Sequence, residues 1–149
     1  MPSRIYTQIL WIFLICGSVR VAAENAGRNC PVKIEQVQLT YNHQGGQSVP
    51  RLKVRFSNEA GKRIARVSFS LALLDPDGYP HSYPGDLDYR AGLDAGKMRA
   101  SFWELRSELV DIHNAGETVV VRRVQFGDGS GWEDGGSESC KLTMDFHAR

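Results

Sequence analysis

Apolar residues along this chain recur mostly with a period of two, the spacing of half-buried β-strands. The plainest run is 51–56, where Leu52, Val54 and Phe56 alternate with Arg51, Lys53 and Arg55. A second, 66–73, puts Val67, Phe69, Leu71 and Leu73 on one face and Arg66, Ser68, Ser70 and Ala72 on the other. Upstream, Val32 and Ile34 share one parity while Val37, Leu39 and Tyr41 share the other. A single switch at Glu35-Gln36 predicts a β-bulge, where one extra residue re-aims the strand. Turn chemistry divides these runs at Asn58-Glu59-Ala60-Gly61 and Asp75-Pro76-Asp77-Gly78, with proline presetting φ in the second turn.

Residues 79–96 lose the alternation and predict an irregular crossing segment with at most a short edge strand. Met98, Ala100 and Phe102 resume it, with Trp103 on the opposite parity. Leu105, Leu109 and Ile112 have helical spacing, which with Ser107 as N-cap predicts one short helix.

Between 118 and 133, Val119 and Val121 share one parity and Val124 and Phe126 the other, so a second bulge is expected at Arg122-Arg123. The Gly127-Asp128-Gly129 turn is decided by register. A two-residue Asp-Gly turn would put Trp132 on the solvent side, opposite Gln125. A three-residue loop with Gly129 left-handed pairs Val124 with Trp132 and gathers the large apolar side chains on one face. Burial of Trp132 favours the second arrangement by a few kcal/mol. A final strand carries Leu142, Met144 and Phe146. Six or seven strands with frequent turns and no sustained helix predict an all-β fold, an immunoglobulin-like antiparallel β-sandwich.

The segment V-x-F-G-D-G-S-G-W at 124–132, with F-S-x-x-x-G-x-x-I-x-x-V-x-F at 56–69, resembles a group of uncharacterised exported bacterial proteins. These end an immunoglobulin- or fibronectin-like sandwich in a V-x-F-x-DG-S-x-W hairpin. The resemblance spans about residues 50–134 and implies a fold; it implies no activity, ligand or catalytic residue.

Composition adds a compartment. Met1–Ala23 holds Arg4, the apolar block 9–16 and Val21-Ala22-Ala23. That is a signal-peptide pattern, and its apolar run is far below the roughly 20 residues a membrane span requires. The expected domains are a leader at 1–23 and one sandwich at 24–149, exported to the periplasm or beyond, with no membrane span after cleavage. Losing Arg4 and Arg20 turns the formal charge from +1 to −1, which argues against nucleic acid as a partner. Cys30 and Cys140 then remain, near opposite ends of an exported domain, and predict one disulfide closing a loop of about 110 residues.

Catalytic patterns are missing. There is no G-x-S-x-G, no phosphate loop and no metal-spaced histidine set among His43, His81, His113 and His147, so no cofactor is expected and no enzyme is supported. Asp75, Asp77, Asp86 and Asp88 surround one loop and could offer calcium its hard oxygen ligands. Tyr79, Tyr83, Tyr89 and Trp103 could instead present aromatics to a protein or glycan, as in a carbohydrate-binding module. The Arg51/Lys53/Arg55 stripe reads as a solvated strand face. The expectation is an exported domain with a non-catalytic binding or structural role, its partner a protein or glycan of the cell envelope.

Overall fold

The computed structural model describes residues 30–110 and 113–145. The expected leader at 1–23, Ile112, Phe146 and His147 lie outside the described residues. In chain order the strands are β1 (Val32–Gln44), β2 (Gln47–Asn58), β3 (Ile64–Leu74), β4 (Pro80–Ser82), β5 (Leu87–Tyr89), β6 (Met98–Glu104), β7 (Gly116–Phe126), β8 (Gly131–Glu133) and β9 (Lys141–Asp145). They form two antiparallel sheets packed face to face. The first has the order β1–β2–β6. In the second, β3 and β7 are central; β4 and β5 flank β3, while β8 and β9 flank β7.

The two-residue period explains the packing. Leu52, Val54 and Phe56 on the first sheet meet Val67, Phe69 and Val121 on the second, all without solvent exposure. Phe56 and Phe69 cross edge to face with centroids 5.1 Å apart. Both expected bulges occur. The β1–β2 register shifts between Ile34 and Gln36. On β7, Arg123 pairs Ser68 and Val121 pairs Phe69, so Arg122 is the extra residue and both halves of the strand face the core.

The Cys30–Cys140 disulfide is formed, with Cα atoms 5.6 Å apart. It joins the approach to β1 on one sheet to the approach to β9 on the other. At the same end of the β1–β2 pair, opposite Val32, the buried side chain of Asn58 donates to the carbonyls of Lys62 and Leu93 at 3.0 and 2.9 Å, and accepts from Ala60 N–H. One asparagine thereby ties the 58–62 turn to the loop leading into β6.

Three local expectations are corrected. Residues 79–96 contain two short strands, β4 and β5, because the long β3 offers successive stretches of one edge. The short helix is a single 3-10 turn, Ser107–Leu109, preceded by Arg106 rather than capped by Ser107. On β6 it is Trp103 that faces inward, paired with buried Leu52, while Met98 and Phe102 face solvent.

The hairpin adopts the three-residue loop. Val124 pairs Trp132, Phe126 N–H donates to Ser130 C=O at 2.8 Å, and Gly129 has φ +85°. Trp132 packs on the core but is only half-buried. Its loss to alanine should cost about 1–3 kcal/mol, less than a fully buried ring. A Cβ on Gly129 meets nothing within 4 Å, so Gly129→Ala should cost only the conformational penalty, about 1 kcal/mol. Urea titration of both variants checks the ranking.

Candidate functional site

The four aromatic residues singled out in the sequence do not form one exposed set. Tyr79 is 68% exposed on the turn before β4. Tyr89 is buried against Phe56, with its hydroxyl donating to Gly92 C=O at 2.7 Å. Tyr83 packs on the core and its hydroxyl accepts from Arg106 N–H. Trp103 meets Phe69 edge to face and donates its indole N–H to Asp88 C=O at 3.2 Å. Amphipathic rings closing the ends of a sandwich account for the last three.

The four aspartates are likewise dispersed. Asp75 closes its own turn, accepting from Asp77 and Tyr79 N–H, and its carboxylate lies 2.8 Å from His81 Nε2. That histidine, then the two amides, hold its pKa down. Asp88 sits on β5 opposite Ser68, on the order of 20 Å away along β3. Asp77 and Asp86 are exposed. Among the described residues no three His, Cys, Asp or Glu side chains converge as a metal site.

Asp88 instead organises the outer face of the second sheet. Arg66 donates to it in a bidentate pair, Ser68 Oγ at 2.7 Å and Arg90 at 2.8 Å. Arg66 dominates and outweighs the burial that opposes it, so the carboxyl is held well below the usual carboxylate range. Asp134 is similar: burial pushes its pKa up, but Ser137, Glu138 N–H and Arg122 together hold it below its ordinary value. A carboxyl with a depressed pKa in the fold stabilises the protein above its unfolded pKa, and this contribution disappears on acidification. Thermal stability should therefore fall as pH drops below about 4, and Asp88→Asn should be less stable at neutral pH yet lose less over that drop. Melting curves across the acid range test this.

A cavity of about 350 Å³ lies beside the hairpin on the same sheet, lined by Arg66, Ser68, Arg123, Gln125, Trp132 and Glu133. Its cations are already matched, Arg66 to Asp88 and Arg123 to Glu133 at 3.0 Å.

The first sheet is different. Arg51, Lys53 and Arg55 stand in line on its outer face, with Lys53 opposite Phe102 and Arg55 opposite Ala100 on β6. Phe102 is 47% and Met98 42% exposed. The Arg51 guanidinium lies 4.4 Å from the Phe102 ring centroid and Lys53 Nζ 5.7 Å from it, while Arg55 Nε lies 2.7 Å from Met98 Sδ. None of the three cations forms an ion pair, although Glu104 stands opposite Arg51 on β6 and Glu35, whose carboxyl is held down by Lys33 first and by Ser57 and Arg55 after it, lies at the margin of the face. Among the described residues the lysines and arginines outside any ion pair are Arg51, Lys53, Arg55, Lys97, Arg99 and Arg106. All six lie on β2 or on and beside β6. The cations of the second sheet have carboxylate partners, such as Arg122 with Asp134 and Lys141 with Glu138. Arg51, Lys53 and Arg55 thus gather on one face around an exposed aromatic and a thioether, with Glu104 at its margin, while Arg99, paired with buried Phe56, belongs to the other parity of β6. The alternating cations are visible in the sequence; that none forms an ion pair, and that Phe102 lies beside them, depend on strand register.

No protein-family model and no curated protein matches the sequence. Comparison with solved structures finds similarity in fold. A hypothetical protein from Peptoclostridium difficile 630 superposes with a TM-score of 0.55 over 82% of this chain and 97% of its own, at 12% identity. A structural-genomics target superposes with a TM-score of 0.48 over 77% of this chain and 86% of its own, at 7% identity. The first is similar in fold alone.

Proposed function

We propose that this is an exported, disulfide-stapled sandwich whose role is non-catalytic binding, and that the outer face of its β1–β2–β6 sheet recognises an anionic partner of the cell envelope. The observation carrying this reading is the segregation of unpaired cations onto β2 and β6. Exposed charges of one sign on a flat surface raise the local concentration of an oppositely charged partner and set its orientation. Phe102 and Met98 supply the apolar contact that electrostatics alone lacks. The leader pattern and the disulfide support an oxidising, extracytoplasmic setting. Among the described residues no helix is long and apolar enough to cross a membrane.

Polyglutamate serves as the test ligand. Lys53→Gln with Arg55→Gln removes two charges from the face; Lys141→Gln with Arg63→Gln removes two from elsewhere. Equal changes in net charge separate a local site from a general field. The first pair should weaken binding roughly tenfold and the second about twofold or less. Equal losses would overturn the reading.

A further inference from the structure

The same region leaves a strand edge open. β6 pairs β2 alone among the described strands. Leu105 N–H donates to Pro50 C=O and Asn58 N–H to Lys97 C=O, both at 2.9 Å. Hydrogen-bonded pairs alternate in an antiparallel ladder, so residues 97, 99, 101, 103 and 105 are those bonded to β2. The backbone N–H and C=O groups of Met98, Ala100, Phe102 and Glu104 therefore point away from it, along a free edge.

Resting on the anionic-partner reading, we propose that β6 takes up an extended acidic polypeptide segment as an added strand along this edge. Main-chain groups of an exposed edge supply affinity for such a strand, and neighbouring side chains supply specificity. Three features fit the occupant. Arg51 and Arg55 reach across onto Phe102 and Met98, which carries β2's charge toward the edge. Arg51, Lys53 and Arg55 repeat every two residues, about 6.7 Å, which is the repeat of alternate side chains on an extended acidic peptide. Lys97, Arg99 and Arg106 flank the edge outside any ion pair, against the single carboxylate of Glu104 on β6, so positive charge predominates there: two copies of this edge repel each other while an acidic strand is drawn in. A polysaccharide could use the cations, but it lacks the regular alternation of backbone donors and acceptors that a strand presents to this edge.

The experiment uses the disulfide-bonded protein and a synthetic peptide of alternating glutamate and valine, with amide hydrogen exchange followed residue by residue. The amides of Met98, Ala100, Phe102 and Glu104 should become protected on binding. An N-methylated copy of the peptide, equal in charge but unable to pair, should bind roughly tenfold more weakly. Ala100→Pro removes an N–H that β2 does not use; it should leave the melting temperature near that of the parent while weakening the peptide by a similar factor. If that variant unfolds, exchange in the unaltered chain decides the matter. Binding of both peptides, or of polygalacturonate, equally well and without protection of these amides would overturn strand addition and leave the cationic face standing. Protection that appears with protein concentration alone would assign the edge to a second copy and overturn the proposal. Absence of binding to every polyanion would overturn both readings.

Discussion

Replacing Cys30 and Cys140 together by serine should lower stability by about 2–5 kcal/mol, with the chain-entropy model placing a loop of this length near the upper end. The loop closed spans 110 residues and nearly the whole described chain. The bond joins the approaches to β1 and β9, which lie on different sheets. Val121 N–H also donates to Cys140 C=O at 2.9 Å, tying the staple to the middle of β7. Without it the β1 and β9 margins should open first, since only side-chain packing then holds those parts of the two sheets together. Guanidinium unfolding of the variant measures the loss. Reduction of the parent protein should reproduce it, and an unchanged midpoint would mean that the bond constrains little.

Phe69→Ala should cost about 3–5 kcal/mol, a large share of a small domain's total. Phe69 is fully buried and central to a chain of rings, touching Phe56 at 5.1 Å and Trp103 at 5.8 Å, while Phe56 touches Tyr89 at 5.1 Å. The cavity left behind would adjoin residues from both sheets, so neither can collapse into it alone. Trp103 stands on β6 directly behind the exposed Phe102. The same substitution should therefore change Trp103 fluorescence and loosen β6. Denaturant titration gives the energy, and a cost below about 1 kcal/mol would contradict this core.

Much of this architecture is legible in the sequence because β2 and β3 bury one whole face each, and a buried face forces strict alternation. Both bulges could be located because a change of apolar parity within a strand requires an extra residue. The disulfide follows from counting cysteines once Cys16, in the leader-like segment, is set aside. The alternation on β6 misleads for a physical reason: at a free sheet edge apolar side chains occur on both faces, and the pairing of Trp103 with Leu52, not the pattern itself, decides which face is inside. The three-residue strands β4, β5 and β8 are too short to show any period. The tyrosines carry no mark separating exposed Tyr79 from buried Tyr89. Nor does alternation of Arg51, Lys53 and Arg55 reveal which cations lack partners, since their carboxylates could have come from any strand that the fold laid alongside.

Backbone amide shifts during a polyglutamate titration locate directly where an anionic ligand lands. Perturbations centred on Arg51, Lys53, Arg55 and Phe102, fading toward β7 and the hairpin and weakening as salt is added, are the expected result. Shifts centred instead on Arg66, Arg123 and Trp132, with β2 and β6 unmoved, would contradict it.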